Sequence, residues 1–523
     1  MKVVLDGASL TIEQVHAVAR EGAKVALAPA ARKAVVRCRK VARELRESGQ
    51  LIYGVTTGIG ELARVAVSPE HGEELQRRIV RSHAAGVGEH FKVDEVRAAM
   101  LLRANVLARG YSAVRLELLE TIIDMLNKGV SPAVPEKGSV GTSGDLCSLA
   151  HIALVVMGEG EAYYEGRLMK GKTAMKRAGV TPVTLKFKEG LALINGSQFF
   201  TACGALRVYD GERLMKSAII ASAMSADALR TPLTPFDPRI HELRPFNGQN
   251  AVADNMRELL KSSGFIKRGS GKVQDAYSIR CIPQVYSPSI DTLNYTRSQI
   301  EIEMNSVTDN PLFFPDEGEQ LSCGNFHGQP IAMPLDFLGI AMSEIGGLSE
   351  RHINRLVNPH LNGGLPAFLV VSEGLNSGYM LAHYTATALC SENKVFSHPA
   401  VVDNFSMAAD QEDTVSMGPI AARKLKEIMS NVLNVVAIEM MCAAQAFDLL
   451  EGKPGKGTAV AHKQIRSVVP TYVKDRVVAP DIKKIAELIS SWELLAAVEK
   501  AVGPVQLRST SRKVAAVRKH WCA

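Results

Sequence analysis

The stretch "GSVGTSGDLCSLAH", residues 138–151, sets small, flexible residues directly before an apolar run. Gly144 has no side chain, so its backbone nitrogen can come close to the carbonyl of Thr142. Attack by that nitrogen closes a five-membered ring. Loss of water, including the hydroxyl of Ser143, then leaves an exocyclic methylidene carbon. That carbon is an electrophile of a kind that no ordinary side chain supplies. The same letters also suit a plain turn with Asp145 as the N-cap of a following helix. The loop alone leaves both readings open.

Outward from the loop, the chain reads as helices. "SLTIEQVHAVAREG" predicts a helix capped by Thr11 and ended by Gly22. "PAARKAVVRCRKVARELRESG" predicts a second, ending at Gly49. "LIYGVTTGIGELARV" is rich in Gly and Thr and reads as a loop. Helical periodicity returns from Glu73 to Gly129, broken near "HAAGVGEH". "DLCSLAHIALVVMGEG" reads as a buried helix starting at or near Asp145, and "EAYYEGRLMKGKTAMKRAG" as a hairpin and a helix. Long apolar-periodic segments follow, the longest from Gly418 to Leu450. As one helix it reaches roughly 50 Å at 1.5 Å per residue. Such helices need a shared apolar seam, which predicts a bundle.

Bulk properties narrow the function. A length of 523 residues allows several domains or one large helical body. A net charge of +7 over that length is too mild to argue for nucleic acid. The eight cysteines form no CxxC pair, and no HExxH-type pattern occurs, so no metal site is expected. The start of the chain lacks a signal-peptide core, and no stretch of about 18 uncharged apolar residues occurs. The expectation is a cytoplasmic protein with no membrane span. The basic run "LRSTSRKVAAVRKHWCA" at the end reads as a solvated helix face or tail, with a partner-binding tail as the alternative. "GVTTGIG" fits a dinucleotide-loop spacing, but no rhythm of alternating strand and helix accompanies it.

"GSVGTSGDL" closely resembles the signature of the aromatic amino acid ammonia-lyases and related aminomutases. Eight further stretches carry the resemblance in family order: "YGVTTGIG", "SHAAGVGE", "LALINGSQ", "VQDAYSIRCIPQV", "NSVTDNPLF", "GNFHGQP", "GLNSGYM" and "DQEDTVSMG". They run from Tyr53 to Gly418. The resemblance implies a mainly α fold with an N-terminal domain bearing the reactive loop, residues 1–205. It also implies a long-helix bundle with a C-terminal helical region, residues 206–523. The cofactor implied is 4-methylidene-imidazol-5-one (MIO), formed from Thr142, Ser143 and Gly144. The family also implies a homotetramer whose active sites combine chains.

The resemblance assigns roles residue by residue. Tyr53 matches the base that removes the substrate's β-proton, in a loop where Gly58 and Gly60 allow a lid. Asn195 matches a contact to the MIO group and to the substrate's amine or carboxylate. Arg280 matches the carboxylate-binding Arg, whose fork suits bidentate recognition. Gln274 and Tyr277 match active-site hydrogen-bonding residues, and Phe326 a ring packed on the cofactor and substrate. Ser82-His83 and Glu412 resemble histidine ammonia-lyases at the positions that face the substrate ring. A carboxylate there accepts from an imidazole N–H, and equally from a phenol. The expected reaction is L-histidine to trans-urocanate and ammonia. The alternatives are a tyrosine or phenylalanine lyase, a 2,3-aminomutase, or a non-catalytic helical scaffold. Departures from the family pattern include Thr142 for Ala, Thr414 for His, His383 for Gln, Asp410 for Asn and Ile59 for Phe.

Overall fold

A computed structural model describes residues 2–268 and 273–509. Residues 510–523, which hold most of the basic terminal run and Cys522, lie outside the described residues. The described chain is mainly α, with twenty α-helices and four small sheets of two or three strands.

Local signals set the first elements. Thr11 caps the helix Ile12–Arg20 with a full capping box, its side chain accepting from the Gln14 amide. The next helix, Pro29–Glu47, opens with Pro in its first turn. Strands Glu161–Tyr164 and Arg167–Lys170 form the expected hairpin, and the helix Gly171–Ala178 follows. Strands Lys2–Leu5 and Lys24–Leu27 pair in parallel. Leu51 and Ile52, before the turn that begins at Tyr53, form no strand, which removes the dinucleotide-loop reading.

By its contacts the chain divides into two compact units. The first takes residues 1–209, 296–336 and 399–423, so it contains the expected N-terminal span and also recruits two later segments. Its centre is the helix Val93–Ala108, buried from Glu95 onward. That burial brings Arg97, Arg103 and Asn105 inside, and each finds hydrogen-bond partners.

The second unit takes residues 210–295, 337–398 and 424–523. Its apolar core includes most of the long helix Gly418–Leu449, of 32 residues. That helix and Gln329–Val357 are long and apolar enough to cross a membrane, with mean hydropathies of 1.5 and 1.4. Of the most apolar 18-residue stretch of each, 78% and 67% of residues are buried in the folded chain, which makes them core helices.

Candidate active site

The Ser143 turn is strained by construction. Gly141, Ser143 and Gly144 have φ values of +82°, +43° and +80°. For Ser143, which carries a Cβ, the left-handed region costs about 1–2 kcal/mol. Gly144 is required by contact as well: a Cβ there would lie 2.0 Å from the carbonyl carbon of Gly196. The turn is pinned from outside. The Gly196 amide donates to the Ser143 carbonyl at 2.9 Å, and the Asp145 amide to the Gly196 carbonyl at 2.8 Å. The Ser143 hydroxyl donates to Glu412 Oε1 at 3.2 Å.

Asp145 does not cap the helix that it precedes, Leu146–Val156, contrary to the simple turn reading. Its Oδ2 accepts instead from the Phe199 and Phe200 amides, each at 2.9 Å. It therefore caps the helix Gln198–Ala228. Burial pushes its pKa up to about 7, against those amide donors. The stretch from "EGLALI" onward forms two helices, Glu189–Ile194 and Gln198–Ala228. The break falls at Asn195-Gly196 because the backbone there pairs with the Ser143 turn.

Two cavities share Tyr53, Gly60, Ser143, Asn195 and Glu412 in their linings. One, of about 520 Å³, also takes Ile59, Ile79, Ser82 and His83. The other, of about 430 Å³, takes Thr142, Asn310, Cys323, Phe326, His327 and Thr414. The Gly60 amide donates to the Tyr53 hydroxyl at 2.8 Å. Burial raises the Tyr53 pKa, and the nearby Glu412 charge adds to that, opposing the Gly60 donor. His83 Nδ1 lies 2.8 Å from the Ile79 carbonyl oxygen. A carbonyl only accepts, so Nδ1 carries the proton, and in the neutral ring Nε2 is an acceptor.

Asn195 is 3% exposed. Its Nδ2 donates to the Asn310 carbonyl at 3.4 Å, while its Oδ1 is buried without a protein partner. Behind it lies a charged group that the sequence did not flag. Arg103 donates to the Asn195 carbonyl at 2.6 Å, and Lys188 donates to Asp309 and to the Asn310 carbonyl. Burial lowers the pKa of Arg103 to about 10, and Asp309 opposes that fall. The only sequence signal was charge inside stretches otherwise fit for a core, such as "MLLRANVLA".

Gln274, Tyr277 and Arg280 lie in the second unit. None of them lines either cavity at Ser143. Gln274 and Arg280 line a separate cavity of about 320 Å³ with Asp275 and Gln284. Tyr277 is 73% exposed, and the Arg280 guanidinium stacks 4.6 Å from the centre of its ring. Tyr53, Gly58, Gly60, Ser82, His83, Thr142, Ser143, Asn195, Phe326 and Glu412 thus line the two cavities at Ser143, and Gln274, Tyr277 and Arg280 do not.

Comparison with known proteins agrees with this chemistry. The family model "Aromatic amino acid lyase" matches residues 10–467. Histidine ammonia-lyase from Alkaliphilus oremlandii is 52% identical over 503 residues, covering 96% of this chain and 99% of that protein. The crystal structure of histidine ammonia-lyase from Trypanosoma cruzi superposes with a TM-score of 0.90 at 40% identity, covering 98% of each chain. Tyrosine aminomutase from Streptomyces globisporus superposes at 0.92 and 40% identity, covering 97% of this chain and all of that one. The chain is therefore a carbon–nitrogen lyase with a mainly α fold. It belongs to the aromatic amino acid lyase family.

Proposed function

We propose that this chain eliminates ammonia from L-histidine to give trans-urocanate, using an MIO ring made from Thr142, Ser143 and Gly144. The observation that carries the substrate is a pair of acceptors in one cavity, the Glu412 carboxylate and His83 Nε2. An imidazole brings an N–H to such a pair and a phenol an O–H, whereas a phenyl ring brings no donor, so the pair favours histidine or tyrosine over phenylalanine. The high identity to proteins named histidine ammonia-lyase supports histidine of the two.

The residues at the turn fit the ring. Gly144 sits where only hydrogen is tolerated, and the Ser143 hydroxyl that must leave points to Glu412. Once formed, the ring supplies an electrophilic methylidene carbon for the substrate's amine. The remaining work falls to side chains. Asn195 Oδ1, buried and unpartnered, accepts from an N–H of the substrate's neutral amine. Phe326 packs beside the reacting carbons, and Arg280, aided by Gln274 and Tyr277, holds the α-carboxylate. We place those three in the site from another copy within a homotetramer, an arrangement that suits the exposure of Tyr277. A cytoplasmic location suits the seven described cysteines, all free thiols.

Tyr53 takes the β-proton, with Gly60 donating to its oxygen. Its raised pKa means that the phenolate fraction grows throughout the neutral and alkaline range. We expect kcat/KM to climb with pH along an alkaline limb. Tyr53→Phe should remove that limb and cost about 10²–10⁴-fold in rate. A wild-type limb that survives in the Phe variant would assign the proton to another group.

The function is tested by incubating purified protein with L-histidine, L-tyrosine and L-phenylalanine separately and resolving the products. Urocanate alone is expected. Glu412→Gln should cut histidine turnover by about tenfold or more, because a charged acceptor is lost. Coumarate, cinnamate or a β-amino acid as the main product would overturn histidine in favour of the tyrosine or phenylalanine chemistries.

A further inference from the structure

The carboxylate-binding residues stand on very little structure. Tyr277–Arg280 is a helix of four residues, stabilised internally by bonds from the Ile279 and Arg280 amides to the Ala276 carbonyl. Ser278, in its middle, has its carbonyl held from a different part of the fold. His352, on the helix Gln329–Val357, places Nε2 2.7 Å from the Ser278 carbonyl oxygen. On the other side of the ring, Nδ1 lies 2.7 Å from Glu439 Oε1. Glu439 belongs to the helix Gly418–Leu449.

The protons of this relay follow from its geometry. The Ser278 carbonyl only accepts, so Nε2 must carry a proton and donate. Glu439 Oε1 also accepts from the Ser225 hydroxyl at 2.8 Å, and Glu439 Oε2 is buried with no partner. Both His352 and Glu439 are 0% exposed. A buried carboxylate beside an imidazole favours the imidazolium, so the ring donates from both nitrogens. Burying such a pair is costly, and an apolar pair of similar volume would serve packing as well. What an apolar pair cannot supply is a fixed donor aimed at the backbone between Tyr277 and Arg280.

We propose that His352, oriented by Glu439, is a positioning residue for substrate carboxylate recognition, acting through the Ser278 carbonyl on the Tyr277–Arg280 turn. The proposal rests on the reading that Arg280 binds the carboxylate. His352 touches neither Tyr277 nor Arg280 side chains in any hydrogen bond, so its effect passes through the backbone.

The test compares two double variants that carry no buried unpaired charge, His352→Gln/Glu439→Gln and His352→Met/Glu439→Gln. Gln and Met have similar length and volume, and Gln keeps an N–H near the place of Nε2. The readouts are KM and kcat for the amino acid turned over by the wild type, and Ki for imidazole, a competitor with no carboxylate. The Met variant should raise KM about tenfold, the scale of one lost hydrogen bond to a charged donor, with Ki unchanged. The Gln variant should restore KM to within about threefold of wild type. Equal KM values for the two variants, or a rise in Ki that matches the rise in KM, would overturn the proposal. Arg280→Met is the control. If it leaves KM unchanged, the carboxylate reading has failed, whereas a raised KM there with no Gln–Met difference rejects His352 alone.

Discussion

Replacing Ser143 by Ala is expected to leave a folded protein whose intact mass is higher than that of the wild type. Ring formation from Thr142, Ser143 and Gly144 removes two waters, one from the closing amide and one from the Ser143 hydroxyl. The wild type should therefore weigh two waters less than its sequence. The Ala variant has no hydroxyl to lose and can shed at most the first. Turnover should fall on the order of 10⁴-fold or more, beyond the 10²–10⁴ that a lone general base supplies. The fold has no reason to fail with it. The Ser143 side chain makes one hydrogen bond, to Glu412 at 3.2 Å, while the turn itself is held by backbone bonds with Gly196. Circular dichroism and melting should match the wild type. An Ala variant at full activity, or a wild type at its full sequence mass, would reject the ring.

The turn also shows why parts of this molecule were legible in sequence and others were not. Thr11, Gly22 and Gly49 announce helix ends through local chemistry, and the structure places ends there. "EAYYEGRLMK" announces a hairpin in the same way, through the Glu165-Gly166 turn. Asp145 is different. Its position before an apolar helix suggested a cap for that helix, yet it caps another that begins more than fifty residues later. The competing partner exists only once Gly144 and Gly196 have paired, and periodicity carries no trace of that pairing. The same holds for Arg103, Lys188 and Asp309, whose charges become an asset only when folding brings them together beneath Asn195. Motif resemblance nominated candidates by type and spacing, and Tyr53, His83, Asn195, Phe326 and Glu412 among them line the cavities at Ser143. It did not nominate those that hold them, because a supporting contact is defined by three-dimensional neighbours rather than by residue type.

Co-assembly of two inactive variants should restore activity. Ser143→Ala removes the reactive turn from one cavity, and Arg280→Met removes the carboxylate fork from a segment that lines neither cavity at Ser143. At substrate concentrations near the wild-type KM, each variant alone should be close to background. When the two are co-expressed and purified together through separate tags, a site that draws Ser143 from one chain and Arg280 from another is intact only in one of the four combinations. Random mixing then gives about a quarter of wild-type activity per site. Mixing the separately purified, already assembled variants should give none until subunits exchange. If a single chain supplied both groups to one site, every site would carry one lesion and co-expression would restore nothing. The same preparation measured by light scattering should contain particles of about four chain masses, at 56.5 kDa each. Restoration in a dimer would keep the shared site and discard the tetramer. Its absence in a tetramer would return Arg280 to some other task and leave the carboxylate to be bound by residues near Asn195.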